Sequence, residues 1–207
     1  MSSIQDKVII IDDVLSEIHM NRLEEFTLNP YTPWYYNKFS SYSKQEVVEQ
    51  FISGGLQSSS ETFQFTHNFL MDGEFSRYYP EIAPLLASIP FSMDRILRVK
   101  MNMTVVSKNL ENKKYGMPHL DYPDYPENAT AIYYVNDSDG DTFIFNERDK
   151  NMDFDKLTIK QQISPKKGRL VIFDGSLLHA GNNPTTDTPR VVININFIPY
   201  KEMKYDF

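Results

Sequence analysis

Apolar residues recur along this chain at two different periods, and the change falls at Pro90. Before it, Ile9-Ile10-Ile11 is a short apolar run of the kind a buried strand shows. The next stretch predicts a helix with Ile18, Leu23 and Phe26 on its apolar side. Asp12, Asp13 and Ser16 offer oxygen atoms to cap its start, and Asn29-Pro30 ends it. Residues 34–39 are aromatic-rich and read as extended. Residues 53–60, with Gly54-Gly55 and a run of serines, read as a flexible loop placed to act as a lid. A second helix is predicted over 79–87, with Pro80 near its start and Pro90 as its stop.

Beyond Pro90 the pattern shortens to extended runs at 95–106, 129–135, 142–145, 157–163, 169–173 and 190–198. Turn signals separate them: Asp137-Ser138-Asp139-Gly140, Lys167-Gly168 and Asn182-Asn183-Pro184. With short segments around His119 and His179 this makes about eight strands, the number a jelly roll or double-stranded β-helix requires. The expected fold is therefore mainly β with α+β character: a double-stranded β-helix or jelly-roll core, with N-terminal helices packed on one sheet. At 207 residues the chain reads as one domain, 1–207, with 1–95 as a supporting region and 96–200 as the core.

The last strand carries information of its own. Arg190, Val192, Asn194 and Asn196 share one face, and Val191, Ile193, Ile195 and Phe197 the other. A polar row is costly to bury unless it is hydrogen-bonded or lines a wet pocket. The Arg190 face is read as the inside of the barrel and the Val191 face as packing on the helices; exposure of the polar row to solvent is the alternative.

Composition narrows the function. Cysteine is absent, so neither a disulfide framework nor a thiolate ligand or nucleophile is available. No segment approaches the roughly 20 apolar residues of a membrane span. Residues 1–7 lack a basic region followed by an apolar stretch, so a cytoplasmic location is expected. The formal charge of −7 argues against a phosphate-backbone binder. Lys166-Lys167-Gly168-Arg169 reads as a turn between strands rather than a basic patch. The 13 Tyr and 14 Phe suit a β-rich core with a tyrosine-lined pocket.

Candidate chemistry concentrates in His119-x-Asp121, His179 and, after ten intervening residues, Arg190. Two imidazoles and one carboxylate bind ferrous iron on one face and leave the other open. In an extended segment His119 and Asp121 project to one side, and His179, about four strands later, is expected to return from the opposite sheet. Arginine can grip a carboxylate through two parallel charge-assisted hydrogen bonds. Iron with a carboxylate clamp points to an oxygenase that consumes a keto acid. Asn102 faces the same pocket if the row from Arg98 to Thr104 points inward.

Other signals fall away. Asp137-x-Asp139-x-Asp141 opens like a calcium loop, but Thr142 stands where glycine is expected and Arg148 at the twelfth position, so it reads as a hairpin turn. Ser176 lacks a Gly-x-Ser-x-Gly setting. Residues 149–155 read as a solvated acidic loop, and His19 and His67 as structural.

The segments around the candidate ligands carry a resemblance. Ala131-Ile-Tyr-Tyr-Val-Asn-Asp, Asp139-Gly-Asp-Thr-Phe-Ile-Phe, Pro165-Lys-Lys-Gly-Arg-Leu-Val-Ile-Phe-Asp, then Leu178-His-Ala-Gly and Arg190 occur in one order. In this the chain resembles the iron(II)/2-oxoglutarate-dependent oxygenases of the prolyl 4-hydroxylase-like branch, in particular compact phage-type members. The likeness runs over 96–200 and extends to 8–30 through the first strand, Asp12-Asp-Val-Leu-Ser16 and the helix. It implies that His119, Asp121 and His179 hold Fe(II), and that Arg190 binds the distal carboxylate of 2-oxoglutarate, where many prolyl hydroxylases have lysine. It also implies that Tyr134 shares that carboxylate, an ordinary core tyrosine being the other reading. The implied reaction consumes 2-oxoglutarate and O2, hydroxylates a C–H bond of a prolyl or other protein side chain or a small molecule, and releases succinate and CO2. Two further readings stand beside it: a non-catalytic cupin-like barrel, and an oxidative demethylase of nucleic acid. The second expects asparagine two residues after the arginine and a further arginine beyond; Val192 stands at the first place, and no arginine follows Arg190.

Overall fold

A computed structural model describes residues 4–38, 63–106, 115–148 and 156–200. The expected loop at 53–60 and the acidic stretch at 149–155 lie outside them. In chain order the elements are β1 (Val8–Ile11), α1 (Glu17–Leu28), β2 (Tyr35–Asn37), β3 (Gln64–Met71) and β4 (Glu74–Phe75). A 3-10 turn (Tyr79–Ile82) runs into α2 (Ala83–Ala87) and then β5 (Met93–Thr104). Next come β6 (Ala129–Tyr134), β7 (Thr142–Phe145), β8 (Ile159–Ile163), β9 (Leu170–Asp174), β10 (His179–Gly181) and β11 (Arg190–Pro199). Among the described residues no helix is long and apolar enough to cross a membrane.

The strands form two antiparallel sheets. The larger has the order β1-β9-β6-β11-β5-β3-β2, with β4 beside β3; the smaller is β10-β7-β8. This is the double-stranded β-helix expected from the spacing of turns, with β3 and β4 added to it. Alternation along β11 separates two cores. Val191, Ile193, Ile195 and Phe197 pack with Leu23 of α1 and with Ile82 and Leu85 of the 82–87 segment, so the helices cover the outer face of the larger sheet. Val192 joins Ile132, Tyr134, Val171 and Phe173 of the larger sheet against Ile144 and Ile163 of the smaller one, and this cluster holds the two sheets face to face. Burial of each such side chain contributes about 1.5 to 3 kcal/mol before conformational entropy is subtracted.

Three local expectations are corrected. Ile18 is 79% exposed and is not on the buried side of α1. The covered stripe is Met20, Leu23, Phe26 and Thr27, from which Ile18 lies far round the helix at 3.6 residues per turn. Ser16 stands at the N-cap of α1, but its side chain caps no backbone N–H; its hydroxyl meets Nδ1 of His19 at 3.0 Å. Asp12 instead accepts hydrogen bonds from Arg169 and Lys166, which ties the start of the helix to the β8–β9 turn, where Gly168 holds φ +81°. The 137–141 turn is no hairpin, because β6 and β7 belong to different sheets. It is a crossover pinned by its aspartates: Asp137 accepts from the Lys167 backbone, Asp139 from Thr185 and Asp141 from Gln162. His67, as expected, is structural, bonded to the Pro33 carbonyl and the Ser76 hydroxyl.

Candidate metal centre

The strand ladder itself brings the histidines together. His119 and His179 form an antiparallel β-bridge, each backbone N–H donating to the other's carbonyl at 3.0 and 3.1 Å. His179 therefore does not come from the opposite sheet; it lies beside His119 at the edge of the smaller one, with ring centroids 4.6 Å apart. Alternation aims both rings inward. Leu178, Ala180, Phe143 and Phe145 face the other way and form a small outer core, against which Leu120 packs. With Leu120 anchored outside, His119 and Asp121 are turned to the inside together. One ligand atom from each of His119, Asp121 and His179 lies within 4.8 Å of the other two.

The electrostatics suit a divalent cation. Nδ1 of His119 lies 2.9 Å from the Met117 carbonyl, and Nδ1 of His179 lies 3.3 Å from the Leu177 carbonyl. A carbonyl only accepts, so each Nδ1 carries the proton and each Nε2 offers its lone pair inward. Nε2 of His179 is buried and has no hydrogen-bond partner, an expensive state unless a ligand occupies it. Burial, helped by the neighbouring His179, pushes the His119 imidazole down to about 4, so it is neutral at physiological pH. Burial opposes ionisation of Asp121, yet the Arg98 guanidinium holds its carboxyl well below the usual range.

Asp121 is held by the larger sheet. Arg98 of β5 donates to Oδ1 at 2.7 Å, while Asn194 and Asn196 of β11 each donate to Oδ2 at 2.9 Å. The polar row of the last strand thus lies inside the barrel, hydrogen-bonded to a candidate ligand. Asn196 also donates to Thr130 and accepts from Arg98, which fixes its amide orientation. The loop that follows Asp121 is tied down by Asn128, whose side chain donates to the Tyr122 and Tyr125 carbonyls.

Arg190 lines the same cavity as the triad. It is 6% exposed, donates through Nε to the Gly140 carbonyl and through Nη2 to Thr142, both at 2.7 Å, and has no carboxylate partner among the described residues. A Cβ on Gly140 would sit 2.6 Å from the Asn182 carbonyl and 2.9 Å from the Arg190 side chain, so this slot requires glycine. A buried guanidinium bonded only to neutral groups is poised for an anion. Burial lowers its pKa. Tyr134 donates to the same Thr142 hydroxyl at 2.7 Å, and its ring lies 5.7 Å from the guanidinium carbon; it sits behind Thr142 and braces Arg190. Asn102 lines the cavity, with a buried Oδ1 that has no partner.

All six residues singled out from the sequence thus gather around one cavity or its wall. Arg98, Lys100, Thr142, Asn194 and Asn196 were not assigned roles there. Inward alternation marks Asn194 and Asn196; nothing local in the sequence says that their target is Asp121.

Comparison with known proteins bears on this geometry. Residues 104–198 match the family model described as the 2OG-Fe(II) oxygenase superfamily. Over this part, just under half of its length, the chain matches this superfamily. The superfamily comprises oxidoreductases that use Fe(II), 2-oxoglutarate and O2, and a His-Asp-His donor set with a free buried Nε2 fits that metal. A search of curated proteins finds no match. Among solved structures, the non-heme α-ketoglutarate-dependent epimerase SnoN from nogalamycin biosynthesis has TM-score 0.59 at 13% identity, over 98% of this chain and 84% of that one. A prolyl hydroxylase from Trichoplax adhaerens, in complex with a hypoxia inducible factor peptide fragment, has TM-score 0.57 at 15% identity, over 92% and 83%. HygX from Streptomyces hygroscopicus, with nickel and 2-oxoglutarate bound, has TM-score 0.54 at 11% identity, over 93% and 82%. At these identities the likeness is one of fold, and it includes prolyl hydroxylases, as the sequence resemblance implies.

Proposed function

We propose that this oxygenase hydroxylates an unactivated C–H bond, with His119, Asp121 and His179 holding iron and Arg190 binding the distal carboxylate of 2-oxoglutarate. The observation that carries this reading is that a buried cation and a triad with a buried Nε2, both without a charged or hydrogen-bonding partner for that role among the described residues, open into one cavity. Iron with 2-oxoglutarate and O2 supplies the oxidising chemistry, with release of succinate and CO2. The protein supplies position: Asn194, Asn196 and Arg98 fix the carboxylate of Asp121, and the His119–His179 bridge fixes the two imidazoles. Tyr134 and Thr142 orient the Arg190 fork, and Asn102 offers an amide to the inner end of the keto acid. The whole chain is read as one oxygenase domain, 1–95 supporting the core. The substrate class inferred from the prolyl 4-hydroxylase-like resemblance is a prolyl or other protein side chain, with a small molecule as the other option.

The test is anaerobic absorbance spectroscopy of the Fe(II)-loaded protein titrated with 2-oxoglutarate, paired with succinate formation in air. A visible charge-transfer band is expected in the wild type and its loss in His179→Ala, together with 2-oxoglutarate turnover. Near-wild-type turnover by that variant would overturn the ligand assignment.

A further inference from the structure

The inner face of β5 presents Arg98, Lys100, Asn102 and Thr104. Arg98 is engaged with Asp121 and Asn196. Lys100 is not engaged: it lines the cavity and lies within the electrostatic reach of Asp121 and His119, and no described residue accepts a hydrogen bond from its ammonium. In the ladder it stands opposite Asn194 of β11 and Asn68 of β3. Close by, Asn102 Oδ1, Thr104 Oγ1 and Asn194 Oδ1 are buried and without partners. An ammonium that lines a cavity and has no acceptor among the described residues can receive an incoming anion.

The cavity therefore holds two cations. Arg190 pairs with Thr104 in the ladder and Asn194 with Lys100, so the backbones that carry the two cations stand four ladder positions apart, about 13 Å of strand at ~3.3 Å per residue. The carboxyl carbons of a five-carbon diacid are only about 5 Å apart at ~1.5 Å per bond. If one carboxylate of 2-oxoglutarate sits on Arg190 and its other end on the metal, Lys100 is left for a different anion.

We propose that Lys100 is a specificity-determining residue that receives an oxyanion of the primary substrate, a carboxylate or a phosphate, so that this oxygenase acts on an anionic small molecule. This rests on the iron and 2-oxoglutarate site proposed above. It takes the small-molecule option of that reading and narrows it to one that carries its own negative charge within reach of the metal.

The test uses the Fe(II)-loaded protein with saturating 2-oxoglutarate under anaerobic conditions. It is titrated with sodium acetate or with inorganic phosphate, with sodium chloride as the ionic-strength control, and the charge-transfer band is the readout. One of the two anions is expected to shift the band saturably, and which one distinguishes carboxylate from phosphate. The response should weaken at least tenfold in Lys100→Met and survive in Lys100→Arg, while the 2-oxoglutarate needed to form the band changes less than threefold in either. Lys100→Gln replaces Lys100→Met if the methionine variant melts abnormally. The proposal is overturned if neither anion moves the wild-type band, or if the neutral variants respond as the wild type does. It is also overturned if they need as much additional 2-oxoglutarate as Arg190→Ala, since Lys100 then serves the co-substrate. Absence of any band in the iron-loaded wild type is a separate result, and it removes the underlying site assignment itself.

Discussion

Replacing Arg190 separates a ligand-binding role from a structural one. Its guanidinium spends two of its five N–H groups on the Gly140 carbonyl and the Thr142 hydroxyl, both uncharged. A carboxylate gripped by the remaining edge forms two charge-assisted hydrogen bonds, each about 1.5 to 3 kcal/mol. Taking the lower end of their sum, Arg190→Ala should weaken 2-oxoglutarate binding by about 3 to 4 kcal/mol, roughly 100- to 1000-fold at 1.4 kcal/mol per decade. Arg190→Lys keeps the charge but loses the fork, and should cost about tenfold. The effect on the ligand-free protein is opposite in character. Removing a buried cation that lacks a counter-charge relieves desolvation, while the Gly140 carbonyl loses its donor at about 1 to 3 kcal/mol. Thr142 keeps its bond from Tyr134. These terms offset to within about 1 kcal/mol, a melting shift of about 2 to 4 °C for a chain of this size. The assay is anaerobic titration of 2-oxoglutarate alongside thermal melts of the unliganded variants. Unchanged 2-oxoglutarate affinity with a melting loss beyond about 8 °C would refute the reasoning and make Arg190 a structural strut.

Two further perturbations probe the supports. Asn196 is fully buried and holds Asp121, Thr130 and Arg98 at once, so Asn196→Leu should lower iron affinity about 10- to 100-fold, read by metal titration; unchanged affinity would mean that Arg98 and Asn194 suffice to orient Asp121. Hydrogen bonds from Arg169 and Lys166 pull the Asp12 carboxyl down to about 2. Its folded pKa lies below its unfolded value near 3.9, so its stabilisation is present above about pH 4 and is lost as the pH falls toward 2. The carboxylate is 36% exposed, so screening limits the effect: Asp12→Asn should cost about 0.5 to 1 kcal/mol in urea melts at pH 7 and close to nothing at pH 2. An equal loss at both pH values would assign the cost to packing.

How much of this was legible in the sequence depends on whether a strand keeps one phase. In β11 the period-two pattern runs unbroken from Arg190 to Phe197, and it foretold both the helix-packed face and the polar interior. In β3 it fails: Gln64, Thr66 and His67 are buried polar residues, and a register shift between Asn68 and Leu70 moves the later side chains out of phase. The strand was therefore passed over, although it lies beside β5 in the larger sheet. Alternation states which face a residue takes and not what it meets there. Asn194 and Asn196 could be assigned to the interior, but their partner Asp121 is more than seventy residues away in the chain, and only the ladder brings the three together. Lys100 belongs to the row from Arg98 to Thr104 that alternation can turn inward, but nothing local in the sequence says what it faces there.

The same ladder explains why the site is tied to the fold rather than grafted onto it. His119 and His179 are opposed through their own backbone hydrogen bonds, and the side chains that fix their register lie on the far side: Leu120, Leu178 and Ala180 against Phe143 and Phe145. A slip of one residue would turn both imidazoles outward and drive Leu120 and Leu178 into the polar cavity. The apolar cost of that slip, several side chains at about 1.5 to 3 kcal/mol each, is what holds the two imidazoles inward. Asp121 is then the one ligand whose position depends on the opposite sheet, through Arg98, Asn194 and Asn196. The candidate triad is thus braced by both sheets, so its geometry depends on closure of the barrel.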